Sequence, residues 1–195
     1  MRGGLVILRI VFIVALLVLA VLALAATKPR TIHLQRSIVI HAPAQKIFTL
    51  LDDFHNWSAW APGDKDDPAM QRTYSGPASG LGATSDWRGS GSTGAGRMAI
   101  TESAPGSRVT VAVDFARPFA AHNVNVFTLE PAPEAATGEA AAAGSPSGES
   151  TNVTWSFEGS NVFMLKVMSV FMNMDRFMGK HVEQGLANLK TAAEK

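Results

Sequence analysis

The hydrophobic pattern divides the chain into one unbroken apolar run and a longer region of alternating and helical stretches. The apolar run starts at Leu5, ends at Ala26 and contains a single charge, Arg9. At about 1.5 Å per residue, it is long enough to cross a hydrocarbon core of about 30 Å. Its Leu, Ile, Val and Phe side chains outweigh the cost of inserting one Arg. The pattern therefore predicts a transmembrane anchor over residues 1–26.

After a short spacer at 27–32, the pattern becomes that of short strands separated by turns. A first strand, HLQRSIVIHA, places Leu34, Ile38 and Ile40 on one face, and Pro43 then opens a helix. Gly- and Pro-containing turns separate the later candidate strands, at intervals of about a dozen residues, which favours an antiparallel meander. These strands are predicted at 70–74, 83–88, 96–102, 108–115, 122–130 and 152–158.

The C-terminal stretch over 162–193 has apolar residues at three- and four-residue spacing, which predicts one long amphipathic helix that Gly179 can bend. The segment 132–150 is rich in Ala, Gly, Pro and Ser, and predicts a flexible insert within the domain over 33–195. The fold class is therefore α+β, a curved antiparallel sheet wrapped around a C-terminal helix. The space between such a sheet and helix is a natural site for an apolar ligand.

The charge and composition of the chain exclude several classes of function. The net charge is +1 and basic residues form no run, so nucleic acid is excluded as a partner. No Cys is present, and the five His residues have no metal-binding spacing. The acidic segment with Asp64, Asp66 and Asp67 lacks the glycine and the distal glutamate of a calcium-binding loop, so we interpret it as a solvated loop. We therefore expect no metal.

A glycine-rich segment, Gly89-Ser90-Gly91-Ser92-Thr93-Gly94, matches the spacing of a dinucleotide-binding fingerprint. That fingerprint requires a following helix whose N-terminus meets the pyrophosphate, whereas the next residues, RMAITES, have the pattern of a strand. We interpret the segment as a hairpin turn and expect no cofactor. No GxSxG motif is present, so nucleophilic hydrolysis has no support in the sequence.

A cleaved secretory signal is the alternative to a permanent anchor, because Ala23-Leu24-Ala25 has the small-x-small pattern of a cleavage site. The apolar run is longer than the roughly 7–15 residues of a signal h-region, which favours the anchor. Basic residues flank both ends of the run, so the positive-inside rule nearly cancels. The short N-terminal tail favours a domain outside the cytoplasm.

Several sequence blocks resemble one family in the same order along the chain. The segment RSIVIHAPAQKIFTLLDDFHNWSAWAP and the later blocks YSGPASGLGAT, MAITESAPGSRVTVAVDF, FTLEPA, TNVTWSFEG and GLANLK are similar to the SRPBCC superfamily. The resemblance is to its polyketide cyclase/dehydrase and lipid-transport branch, and it runs from about His33 to Lys195. It implies the helix-grip fold (Bet v 1/START-like) with a deep cavity. It leaves the chemistry open, because the superfamily contains carriers, cyclases, hydrolases and chaperone co-factors.

We expect the cavity wall to combine the Met-rich helix with the inward faces of the strands, since Met adapts to varied apolar ligands. Trp60, with Trp57, is expected to close one end. Asp175 lies close to the apolar stripe. It is either exposed, or paired with a basic residue such as Arg, or the polar anchor or acid/base residue of the cavity. The candidate lining residues are Trp60, Met98, Ile100, Val113, Phe115, Phe127, Trp155, Phe171, Met174, Asp175 and Met178.

The sequence thus predicts a membrane-anchored protein that binds or transports a small hydrophobic or lipid-like molecule, with no catalytic residue. One alternative is a cyclase or dehydratase acting on a polyketide-like substrate. That enzyme needs an acid or base in the cavity, and Asp175, His122 and Asp114 are the candidates. The other alternative is a membrane-tethered interaction module, which predicts a filled core and an exposed apolar patch.

Overall fold

The strands form one seven-stranded antiparallel sheet in the computed structural model, which describes residues 2–67, 69–90, 93–132 and 150–195. Counted along the chain, the strands lie across the sheet in the order first, seventh, sixth, fifth, fourth, third, second. All seven predicted strands are present, with bounds that shift by a few residues. They are β1 (Thr31–Ile40), β2 (Gln71–Ser75), β3 (Thr84–Arg88), β4 (Ala95–Ala104), β5 (Arg108–Arg117), β6 (Ala121–Pro131) and β7 (Thr151–Ser160).

The helices occupy the two ends of the sequence and the connection between β1 and β2. The helices at Ala44–Asp52 and Met174–Ala193 pack on the sheet, and the short helix at Pro62–Asp66 packs on the latter and on a 3₁₀ turn at Phe54–Ala59, so that together they form the grip around the core. Pro62 stands at the first position of the short helix that ends at Asp66, where its missing N–H costs nothing. The helices are α1 (Arg2–Ala26), α2 (Ala44–Asp52), α3 (Pro62–Asp66), α4 (Phe163–Phe171) and α5 (Met174–Ala193).

Strand alternation places the core on the inner face, as the sequence predicts. In β5, Val109, Val111 and Val113 are buried, whereas Asp114 points to the opposite face and is exposed. Successive side chains of a strand point to opposite faces, so one apolar residue in two is enough to build this wall. The core lies between this inner face and α2, the 3₁₀ turn and α5.

The predicted continuous C-terminal helix over 162–193 is wrong, because the chain leaves the helical conformation after Phe171. Met172 is extended, with φ −139° and ψ 151°. Asn173 then caps α5, since its side-chain oxygen accepts a hydrogen bond from the Arg176 N–H at 3.0 Å. Gly179 lies within α5 and is buried under Arg36, whose guanidinium crosses the helix there. The apolar spacing continues across the break and so hides it.

The Ala/Gly/Pro-rich insert predicted at 132–150 falls mainly on 133–149, which lie outside the described residues. Its two ends are joined, because the Ala132 N–H donates to the Ser150 carbonyl at 2.9 Å. The β6–β7 pairing continues from this bond, since Pro131 lies beside Thr151. The insert therefore connects two paired strands, β6 and β7.

The strand register brings several termini to one end of the sheet, here called the α1 end. The start of β1 lies beside the end of β7 through Thr31 and Ser160, and the start of β4 lies beside the end of β5 through Ala95 and Arg117. Asn161 fastens the chain after β7 to the spacer after α1, since its side-chain amide donates to the Pro29 carbonyl at 2.8 Å. Both α1 and α4 therefore adjoin this end.

Candidate ligand-binding cavity

A cavity of about 910 Å³ lies between the inner face of the sheet and the first half of α5. Its volume falls within the range of about 300–1,000 Å³ typical of small-molecule sites. Most of the lining is apolar. The sheet contributes Trp87, Met98, Val113, Phe115, Trp155 and Phe157, the segment before β2 contributes Trp57, Trp60, Ala61, Pro62 and Met70, and α5 contributes Phe177, Met178 and Val182.

An aromatic cluster forms the closed end of the cavity. The ring centroids of Trp57 and Trp60 lie 4.9 Å apart, and Phe127 and Trp155 are separated by the same distance. The indoles of Trp57 in the 3₁₀ turn and of Trp60 just after it are anchored to α2, because they donate to the carbonyls of Leu51 and Leu50, each at 3.0 Å. Edge-to-face contacts and these hydrogen bonds hold the rings rigidly, so this wall is preformed.

Two glycines let large side chains approach the backbone around the cavity. A Cβ at Gly185 in α5 would lie 2.5 Å from the Trp155 ring and 3.3 Å from the Pro62 ring. A Cβ at Gly96 in β4 would overlap the ring of Trp87. Because neither glycine carries a side chain, Trp155 and Trp87 lie close against α5 and β4, and the space in front of them stays open.

Asn125 places a polar group within this apolar lining. The residue is 8% exposed, and its side-chain oxygen accepts a hydrogen bond from the Trp155 indole N–H at 2.8 Å. This bond assigns the oxygen, so the amide NH₂ of Asn125 supplies two further donors at the cavity wall. Asn123 also lines the cavity, two residues earlier on the same strand.

Arg72 brings a cation to the cavity from β2, and its charge is compensated. Its Nε donates to Asp64 at 3.0 Å and its Nη1 to the Ser85 hydroxyl at 3.0 Å. The side chains of Arg72 and Asp64 are only 13% and 8% exposed. The predicted solvated loop over Asp64 to Asp67 is therefore wrong for Asp64, which this pair holds near the cavity.

The mouth of the cavity lies at the α1 end of the sheet, where Phe177, Lys180 and His181 are exposed and Thr93 is half-buried. The two ends of the glycine-rich segment meet here, since the Gly89 N–H donates to the Gly94 carbonyl at 2.7 Å, and the segment joins the paired strands β3 and β4 as the predicted hairpin turn would.

Asp67 ties the α3 segment to this turn. Its carboxylate accepts hydrogen bonds from the Ser90 N–H at 2.7 Å and from the Ser90 hydroxyl at 3.1 Å. The Ser90 N–H is the main reason that the pKa of Asp67 lies below its ordinary value. Asp67 is buried, so the solvated loop predicted there is wrong at this residue also. Within the described part of the chain, no group of three or more His, Asp or Glu residues is arranged to hold a metal ion.

The structure brings six of the eleven predicted lining residues to the cavity, namely Trp60, Met98, Val113, Phe115, Trp155 and Met178. Ile100 and Phe127 lie fully buried in the core behind the lining. The remaining three, Phe171, Met174 and Asp175, lie outside the lining. Phe171 is exposed on α4, and Met174 lies at the first position of α5.

Asp175, a candidate acid or polar anchor, is exposed and pairs with Arg36 at 3.0 Å. The same guanidinium donates to Glu183 at 2.8 Å. The shared hydrogen bonds raise the pKa of Arg36, the bond to Glu183 most. His122 and Asp114 pair with each other at 2.6 Å between β5 and β6, and both are exposed. None of the three acid/base candidates lines the cavity.

Sequence reasoning missed several lining residues for which a local signal existed. Trp87 lies two residues after the buried Ser85 on β3 and so shares its inward face, and Asn125 lies two residues before Phe127 on the inward face of β6. His181 and Val182 follow Met178 by three and four residues and so share its helix face. Because the helix breaks before Asn173, the part of the predicted helix that lines the cavity begins at Phe177, after the positions expected at Phe171 and Met174.

Comparisons with known proteins agree with this geometry. Solved structures with the same fold include a protein from Chromobacterium violaceum (TM-score 0.53, 16% identity, covering 86% of this chain and 99% of that one). A protein from Helicobacter pylori has a TM-score of 0.59 at 7% identity, over 83% of this chain and 88% of that one.

Ginseng major latex-like protein 151 from Panax ginseng has a TM-score of 0.51 at 13% identity, covering 86% of this chain and 100% of that one. No curated protein matches the sequence significantly. The family model for polyketide cyclase/dehydrase and lipid transport matches residues 31–194, which span the sheet, the cavity and both C-terminal helices. The chain therefore belongs to the polyketide cyclase/dehydrase and lipid-transport family of the SRPBCC superfamily, and it has the helix-grip fold.

Proposed function

We propose that the protein is a membrane-anchored carrier that binds a small hydrophobic or lipid-like molecule in the cavity. The observation that supports this most directly is an apolar space of about 910 Å³ between the sheet and α5. Burial of a ligand there would gain roughly 25 cal/mol for each Å² of apolar surface removed from water. The aromatic end wall is already held in place, so binding would require little reorganisation.

The ligand we propose is amphipathic, with a hydrogen-bond acceptor at its polar end. The NH₂ group of Asn125 would donate to a carbonyl, hydroxyl or carboxylate oxygen, while Trp155 fixes the orientation of the amide. An acceptor at this position would satisfy a polar group that otherwise faces an apolar wall. A pure hydrocarbon would leave it unsatisfied and would bind less tightly.

We propose that α1 anchors the domain to the membrane. It is long and apolar enough to span a bilayer, and its side chains from Val6 to Ala20 are all exposed. A carrier held at a bilayer has its ligand concentrated beside it, because an apolar ligand partitions into lipid. Intact mass measurement of membrane-extracted protein separates an anchor from a signal sequence removed after Ala25.

The test is to identify the molecules that copurify with the full chain in native membrane discs, and to compare two tryptophan substitutions. Met178→Trp fills the cavity, whereas Met174→Trp adds the same bulk four residues earlier, outside the lining. We expect a small amphipathic molecule with the native chain and with Met174→Trp, and its loss with Met178→Trp. Identical lipid profiles for all three proteins would contradict the carrier.

The two alternative functions find less support in the geometry. The enzyme required an acid or base in the cavity, and its three candidates, Asp175, Asp114 and His122, lie outside the lining, where the imidazole present is that of His181 at the mouth. The interaction module predicted a filled core together with an exposed apolar patch; the cavity differs from the first expectation, whereas α4 meets the second. A bound molecule that leaves the protein chemically changed would nevertheless favour the enzyme, and the same extraction would detect it.

A further inference from the structure

The short helix α4 lies on the surface of the protein and exposes apolar side chains. No residue of α4 is buried, although most of its residues are apolar. Phe171 and Phe177 are 74% and 58% exposed. A surface of this kind beside a ligand site is unusual for a soluble domain and marks a place of interaction. This α4 patch comprises Phe163, Met164, Met168, Phe171, Met172 and Phe177.

The packing of α4 against α1 fixes its position along the membrane-length helix. The side chains of α1 from Val6 to Ala20 are all exposed, whereas Val21 is half-buried and Ala25 is fully buried. Helix α4 contacts α1, and the described α1 side chains that are not exposed, Val21 and Ala25, lie in its last two turns. The α4 patch therefore lies level with the point at which α1 would leave the hydrocarbon.

Basic residues lie close to the patch along the chain. Lys166 lies within α4, Arg176 and Lys180 lie in the first half of α5, and Lys28 and Arg30 follow α1. Apolar side chains beside Lys and Arg are the combination that binds the interface of an anionic bilayer, where the rings enter the acyl boundary and the cations meet the headgroups.

The patch also borders the mouth of the cavity. Phe177 belongs to both, and Lys180 and His181 at the mouth follow it within four residues. The β5–β6 loop brings one more exposed aromatic residue, Phe119, to the same end of the sheet. A surface that holds this end against lipid would direct the mouth toward the bilayer.

We infer that the α4 patch lies in the headgroup region of the membrane, so that the ligand exchanges between the cavity and the lipid without crossing water. The inference rests on the proposed anchoring by α1. It adds a second lipid contact and an orientation of the cavity, which a flexible tether alone would not provide.

The absence of Cys allows single-cysteine labelling of the full chain with an environment-sensitive fluorophore. Four variants are reconstituted separately into vesicles of phosphatidylcholine and phosphatidylglycerol that carry a nitroxide-labelled lipid. Ile13→Cys reports on α1, Phe171→Cys on the patch and Lys180→Cys on the mouth. Leu81→Cys is the matched control, since Leu81 is apolar, 65% exposed and located at the opposite end of the sheet.

We expect blue-shifted emission and strong nitroxide quenching at Ile13, Phe171 and Lys180, and neither effect at Leu81. Quenching at Ile13 with a Phe171 label that behaves like the Leu81 label would overturn the inference while leaving the anchor intact. Quenching at Phe171 without quenching at Lys180 would overturn the orientation of the mouth. No quenching at Ile13 would refute the anchor and, with it, the inference.

A protein partner or a second copy of the chain is distinguished in the same samples. Either would shield the Phe171 label from aqueous iodide without bringing it into reach of the nitroxide lipid. That result would also overturn the lipid inference. Shielding that weakens as the protein is diluted would then identify the covering surface as another copy of the chain.

Discussion

The indole N–H of Trp155 donates a hydrogen bond to the side-chain oxygen of Asn125 at 2.8 Å, across the strand pair β6–β7 and within the cavity wall. Both residues are 8% exposed. The bond satisfies the indole and leaves the amide NH₂ of Asn125, a residue of the cavity lining, as a hydrogen-bond donor. One interaction thus contributes to the stability of the wall and to the polarity of the site.

Replacement of Asn125 by Leu should weaken both properties. The Trp155 N–H would lose its acceptor, and a buried donor without a partner costs about 1–3 kcal/mol of unfolding free energy. Chemical denaturation measures that loss. In the double variant with Trp155→Phe, we expect a smaller loss than the sum of the single losses, because neither partner is left alone. Additive losses would show that the bond contributes nothing.

Gly185→Ala should destabilise the protein although alanine favours a helix. The new methyl group would lie 2.5 Å from the Trp155 ring, and overpacking typically costs about 1–3 kcal/mol. The gain in helix propensity is about 1 kcal/mol, so the net effect should be a loss. Gly63→Ala is the control, since nothing lies within 4 Å of its Cβ position in α3. Equal thermal stability of the two variants would contradict the close approach of Trp155 to α5.

The pair of Arg72 and Asp64 should behave as a buried ion pair. Arg72→Met leaves the carboxylate of Asp64, only 8% exposed, without its cation, and such a loss costs about 3–5 kcal/mol. The double variant Arg72→Met, Asp64→Leu should recover much of the stability, because no buried charge remains. Denaturant unfolding of the three variants measures the difference, and a double variant as unstable as Arg72→Met would contradict the pairing.

The hydrogen bond from Ser90 to Asp67 should make the protein sensitive to acid. A carboxyl group whose pKa is lowered on folding stabilises the protein above its unfolded pKa, and that contribution disappears as pH falls through the folded pKa. The stability difference between the native protein and Asp67→Asn should therefore be constant above about pH 5 and shrink below about pH 4.

Ser90→Ala is the control for the acid effect, since it removes the hydroxyl donor and keeps the backbone N–H that contributes most. Its pH dependence should remain close to that of the native protein. Thermal unfolding monitored from pH 7 to pH 2 tests both variants. A pH-independent difference between the native protein and Asp67→Asn would show that the carboxylate does not hold the turn.

The sequence by itself determined the elements whose signals are local. A run of apolar residues from Leu5 to Ala26 specifies a membrane-length helix, and alternation in Val109, Val111 and Val113 specifies a strand with one buried face. Both signals depend on the spacing of neighbouring residues, which the chain carries without reference to its partners. The strands and the α+β class were therefore predicted correctly.

Only the tertiary structure decided what each apolar face contacts. Hydrophobic spacing is the same whether a face meets the core, a ligand or a lipid, so it placed Phe171 in the cavity although that residue is exposed on α4. The break at Asn173, the hydrogen bond of Asn125 with Trp155 and the close approach at Gly185 join residues distant in sequence or depend on such contacts. The chain specified which surfaces are apolar, and the packing of the helices on the sheet specified which of them enclose a cavity.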